Sequence, residues 1–296
     1  MNMKKKKWIK EYTVFIIVAV IAAVAILSTS KIGIQKYYFG NDETLQILVL
    51  GDSNMAYDFG DRSIPQRIAE RLECDVYNCA VGGTTASKTN YKNYADWTID
   101  SLCLYNLTKI IETENAQNLY DFYDDVPLNE RYAIDNMYYL TELENEDVDY
   151  VVISYGLNDY LAGQPLYSED PYDETTYAGA LRSSIERIQR KYPNATIVVS
   201  SITYCVFYEE DGQNFAEGYA KDWGGGSIIA YRDAAKAVAE EYANVYFMDN
   251  LELLKIDKTN FAEYMQDSMH LNAVGQEMYV DCFVDVIEEV ESGNNG

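Results

Sequence analysis

No two cysteines in this sequence stand in C-x-x-C spacing, and there is only one histidine. The five cysteines (Cys74, Cys79, Cys103, Cys205, Cys282) are scattered, and an odd number cannot all pair within one chain. This argues against a zinc site and against a disulfide-framed fold. Most of the thiols are expected as small buried apolar groups, with one disulfide possible in an exported protein. Positive charge is also scarce: 23 Lys and Arg face 48 Asp and Glu, a net charge of -25. Six of the lysines (Lys4, Lys5, Lys6, Lys7, Lys10, Lys31) lie in residues 1–35 with a single acid, Glu11, so residues 36–296 carry about -30. A body of that sign repels phosphates and anionic headgroups, which excludes nucleic acid as a partner.

Long apolar runs are absent except for one. Between Tyr12 and Ser30 no residue is charged, and Thr13 to Leu27 is almost wholly aliphatic, long enough for a helix that spans hydrocarbon. The lysines in front would stay cytoplasmic and place the body outside, with Trp8 and Tyr12 at headgroup level. The expected organisation is a basic cytoplasmic segment at 1–11, an anchor at 12–30, a stalk at 31–44 and one domain at 45–292. The localisation that follows is single-pass in the cell membrane with the domain extracellular. A cleaved signal peptide is the alternative, although the small-residue pattern Ala23-Val24-Ala25 sits inside the apolar run rather than after it.

The remaining composition, 48% hydrophobic and 24% charged, suits a globular domain with a sizeable core. Short apolar runs predict strands at 46–50, 76–81, 148–155, 196–203 and 245–248. Apolar residues recurring at helical intervals predict helices at 62–72, 99–111, 177–192, 228–242 and 272–290. No repeat is present, and the Tyr- and Asp-rich stretch 120–135 gives no period. Strands alternating with helices predict a parallel sheet covered on both faces.

In open α/β sheets ligands bind beyond the carboxyl ends of the strands, so the residues there carry the functional reading. After the first strand stands Gly51-Asp52-Ser53-Asn54, with a hydroxyl at a sharp turn. After the second comes Asn78-Cys79-Ala80-Val81-Gly82-Gly83-Thr84-Thr85, and after the third Gly156-Leu157-Asn158-Asp159. Each alone is also an ordinary turn or cap sequence. His270, in Asp267-Ser268-Met269-His270, is the one base suited to activate a serine near neutrality. A carboxylate three residues earlier can curl back to hold the other ring nitrogen.

The four blocks, in this order at successive strand ends, resemble those of the SGNH or GDSL hydrolases over roughly residues 45–290. The resemblance implies a three-layer α/β/α fold with a flavodoxin-like open parallel sheet of about five strands. It implies Ser53 as nucleophile and Asp267 and His270 as its partners. The oxyanion donors would be the Ser53 N–H, the Gly83 N–H and the Asn158 side chain, with no cofactor and no metal. Two departures stand out: the first block ends in Asn54 rather than leucine, and Gly82 beside Gly83 allows the glycine assignment to slip by one.

The expected reaction is hydrolysis of a small ester or acylated glycan. The 28 tyrosines, among them Tyr155, Tyr160, Tyr167 and Tyr172 near the third block, favour sugar and hence deacetylation of extracellular or cell-wall glycans. Two alternatives stand beside it: an O-acetyltransferase with the same residues, and a membrane-tethered binding protein without turnover.

Overall fold

The computed structural model describes residues 44–57, 62–89, 100–116, 119, 123–124, 126, 128–142, 148–210, 212 and 214–293. The chain divides into two units, residues 1–43 and 44–296, and all described residues belong to the second. The apolar run 12–30 expected as an anchor lies outside the described residues. Among those described, no helix is long and apolar enough to cross a membrane.

Five parallel strands form the sheet: β1 (Gln46–Gly51), β2 (Asp75–Asn78), β3 (Tyr150–Ser154), β4 (Thr196–Ser200) and, near the end of the chain, β7 (Val245–Met248). Their order is β2-β1-β3-β4-β7. Counting these five alone, it is the doubly wound order 2-1-3-4-5, with the switch point beside β1. Every residue of β1 and β3 is buried, as befits strands covered on both faces. Three of the predicted strands were too long at their C-terminal ends. Residues 79–81, 155 and 201–203 continue the apolar pattern but leave the sheet to form the loops at its edge.

Helices α1 (Ser53–Ala56), α2 (Ile64–Leu72), α3 (Leu104–Thr113), α4 (Tyr132–Glu142), α5 (Leu157–Leu161) and α6 (Tyr177–Lys191) precede β4 or connect the strands. A short antiparallel hairpin, β5 (Val206–Tyr208) with β6 (Phe215–Glu217), leads to α7 (Ile228–Ala239). After β7 come α8 (Asn250–Leu253), α9 (Phe261–Tyr264) and α10 (Ala273–Glu291). α2 packs on α10, and α6 packs on both α3 and α7, so helices flank the two faces of the sheet and make three layers. The α2–α10 seam holds one buried cation: Arg67 pairs with Glu277 and donates to Gln276 Oε1 at 3.3 Å. All five cysteines are unpaired thiols, four of them buried.

Candidate active site

Gly51 ends β1, and its reason for being glycine is closeness rather than an unusual φ. A Cβ there would lie 2.7 Å from Met55 Cγ and 3.3 Å from the Ser154 carbonyl oxygen. The chain therefore turns tightly into α1, with Asp52 as its cap, accepting from the Asn54 N–H at 3.2 Å. Ser53 follows, 5% exposed. At the far end of the chain, Asn272 caps α10 by accepting from the Val274 and Gly275 amides, and the loop 265–271 before it carries the histidine.

The two segments meet. His270 Nε2 lies 2.8 Å from Ser53 Oγ, and His270 Nδ1 lies 2.7 Å from Asp267 Oδ2. The second Asp267 oxygen accepts the Met269 and His270 amides, each at 2.9 Å. Partial burial pushes the Asp267 carboxyl up, but these hydrogen bonds from the ring and the two amides outweigh it and hold it below the usual carboxylate range.

A family model described as GDSL-like lipase/acylhydrolase matches residues 114–278. The chain belongs to this family. Being an acylhydrolase, it is an enzyme that cleaves esters. The matched span includes Asn158, Asp267 and His270 but begins after Ser53 and Gly83, whose place beside them comes from the geometry. The fold is similar to that of a protein from Lactobacillus plantarum, with a TM-score of 0.57 and 18% identity over 83% of this chain and 97% of that one. It is also similar to a possible lipase from Chitinophaga pinensis, with a TM-score of 0.54 and 16% identity over 83% of this chain and 99% of that one. No curated protein matches the chain.

In this acylhydrolase the two adjacent glycines differ in their hydrogen bonding. The Gly82 N–H is held by Glu130 Oε2 at 2.6 Å, whereas the Gly83 N–H takes no acceptor among the described residues. Gly83 also has φ +78, a conformation favoured by glycine. Asn158 stands on α5, which opens on Gly156 at φ +128. A side chain at Gly156 would be strained there and would meet Tyr177 Oη at 2.7 Å. Asn158 Nδ2 donates to the Thr84 carbonyl at 2.9 Å, and a carboxamide nitrogen has a second hydrogen left to give. Its neighbour Asp159, fully buried, accepts the Ala86 and Ser87 amides and the Ser87 hydroxyl, bracing α5 against the loop after β2.

Residues 130–136, which overlap the end of the stretch that gave no period in the sequence, clamp the site from the side. Tyr132 Oη donates to the Ala56 carbonyl at 3.1 Å, Asn136 Nδ2 to the Asn78 carbonyl at 2.8 Å, and Glu130 holds Gly82. Glu130 and Asn54 are site residues that the sequence did not single out for a role. Two of the tyrosines it did single out, Tyr155 and Tyr160, are core side chains at 2% and 0% exposure. Tyr167 and Tyr172 are exposed, and the Tyr172 hydroxyl is bound to Glu186 on α6.

Asp52 is wholly enclosed, and burial pushes its carboxyl from 3.8 up to about 7, partly opposed by the Asn54 amide and aided by Asp159. A carboxyl whose folded pKa is raised stabilises most below its unfolded pKa and loses that contribution as pH rises through the folded value. Asp52→Asn keeps the cap acceptor and removes the titration. Its unfolding free energy is therefore expected to fall less than the wild type's between pH 4 and pH 8, by roughly 4 kcal/mol. Paired urea titrations at the two pH values check this, and parallel pH dependences would rule it out.

Proposed function

We propose that this acylhydrolase is a serine esterase in which Ser53 is the nucleophile, His270 the base and Asp267 the group that orients the base. The observation that carries the reading is the unbroken hydrogen-bond chain from Ser53 Oγ through both ring nitrogens to Asp267. Ser53 Oγ attacks the ester carbonyl while His270 Nε2 takes its proton. The developing oxyanion faces the Ser53 and Gly83 amides and the second Asn158 hydrogen. Collapse expels the alcohol, protonated by His270, and water then repeats the sequence on the acyl-enzyme. Asn158→Ala is expected to lower kcat by about 10² to 10³, the usual loss for one oxyanion donor. Loss of less than about threefold in steady-state assays would remove Asn158 from that role.

The acyl group is small. Among the described residues the large exposed aliphatic side chains, Leu128, Leu253 and Val274, are scattered along the chain and form no run that could bed a hydrocarbon chain. The alcohol is a sugar hydroxyl. A groove of about 430 Å³ flanks Asp267, lined by Tyr208, Phe261, Met265, Gln266 and Ser268. Tyr208, half exposed, is braced edge-on by Phe215 at 6.0 Å, which leaves aromatic surface for a ring beside polar groups for its hydroxyls. The acidic body disfavours anionic glycans. The apolar run 12–30 anchors the domain on the outer face of the membrane.

The test is the full chain on aryl esters from acetyl to decanoyl and on neutral acetylated oligosaccharides, with released acetate and any acetylated acceptor quantified. Free acetate from the oligosaccharide and a rate that falls with acyl length support the reading. Preference for long chains, or acetate passed to an added sugar instead of water, would replace it.

A further inference from the structure

Asn54 directly follows the nucleophile and is 6% exposed. Its side chain crosses to the loop that carries the base and binds it on both sides of His270. Oδ1 accepts the Leu271 N–H at 3.2 Å, and Nδ2 donates to the Met269 carbonyl at 3.3 Å. The two peptide groups that flank the imidazole are thus held by the residue covalently joined to Ser53. Other anchors of this loop's backbone lead elsewhere. The Val206 N–H on β5 holds the Ser268 carbonyl at 2.8 Å, and the Gln266 N–H closes on the His270 carbonyl at 2.7 Å within the loop.

We propose that Asn54 is a positioning residue that sets the distance between nucleophile and base, a role resting on the reading of Ser53, His270 and Asp267 as the reacting triad. Leucine, the residue that the resembling family carries here, has nearly the shape of asparagine but neither donor nor acceptor. In this chain it would remove both of these ties and leave the base loop held by β5, by the Asn272 side chain on the Met265 carbonyl and by itself, with the contacts of the His270 ring with Ser53 and Tyr57 remaining toward α1. A displacement of about 1 Å between reacting groups costs on the order of 10² in rate while leaving substrate binding largely intact.

The experiment compares the full chain with Asn54→Leu and Asn54→Ser, each alone and combined with His270→Ala, on an aryl acetate, with thermal unfolding recorded for all. Asn54→Leu is expected to lower kcat by about 10- to 100-fold with KM changed by less than about twofold. In the His270→Ala background the same substitution is expected to lower kcat by less than about twofold, because no base remains to be positioned. Wild-type kcat in both Asn54 variants would overturn the proposal. So would an equal fold loss with and without His270, the mark of a purely structural role. Should Asn54→Leu unfold, Asn54→Ser decides by the same two comparisons. His270→Ala alone at the wild-type rate would instead remove the triad on which the proposal rests.

Discussion

Ser53→Ala is expected to lower kcat on an aryl acetate by about 10⁵- to 10⁶-fold while leaving the thermal unfolding midpoint close to that of the wild type. The size follows from the roles of the group. The hydroxyl is both the atom that would form the acyl-enzyme and the donor that gives His270 something to deprotonate, so its loss removes two steps at once. The backbone amide of residue 53 survives the substitution, so the oxyanion donors stay in place and leave a small residue of catalysis by water. Stability should barely respond, since one oxygen is lost from a site whose turn is held by the Asp52 cap and by Asn54. Progress curves at high enzyme concentration measure the remainder. More than about 1% of wild-type activity would mean that Ser53 is not the nucleophile.

Asp267→Asn is expected to cost about 10⁴ in kcat. The carboxamide oxygen can still accept the Met269 and His270 amides that Asp267 Oδ1 accepts now, so the loop keeps its shape. What changes is the partner of His270 Nδ1. A carboxamide nitrogen there donates instead of accepting, which places the ring proton on Nε2 and points a hydrogen at Ser53 Oγ. The sign of the Asp267 shift adds a pH expectation. A carboxyl held below its ordinary range stays ionised well into acid, and the interactions it makes are lost only as pH falls through the lowered folded value. The Asp267 carboxyl should therefore titrate below the ordinary aspartate range. Its ¹³C chemical shift followed by NMR from neutral pH into acid checks this, and a midpoint near 3.9 would contradict it.

The inner strands of the sheet were legible because they are buried on both faces and read as unbroken apolar runs, such as Ile47–Leu50 and Val151–Ile153. The hairpin β5–β6 was not. Its strands have three residues each, too few for a period, and its aromatic residues pack on one another, as Tyr208 does on Phe215 at 6.0 Å. α4 escaped because tyrosine and aspartate dominate its approach and its buried apolar face is short, with Ala133, Ile134 and Met137 covering little more than one turn. Tyrosine misled at the third block for a related reason: a ring with a hydroxyl serves equally in the core, as Tyr160 does against Tyr231, and on the surface.

Ser53, Asp267 and His270, the groups proposed to react, stood out as a set because their order along the chain is informative where each alone is not. Their supports were hidden because they depend on contacts between distant positions. Asn54 acts on a loop more than two hundred residues away, and Glu130 reaches Gly82 from a segment whose local pattern carries no period. Side chains that meet only in the folded state leave no spacing in the sequence to be read.

The five unpaired thiols have a practical consequence. The domain draws none of its stability from covalent cross-links, so its maturation needs no oxidant, and production in a reducing cytosol should yield the same native state as export. Cys74, Cys79, Cys103 and Cys205 are sealed inside, while Cys282 on α10 is partly accessible. A maleimide dye should therefore mark the native enzyme at Cys282 first, giving a spectroscopic handle on the helix that follows the histidine loop.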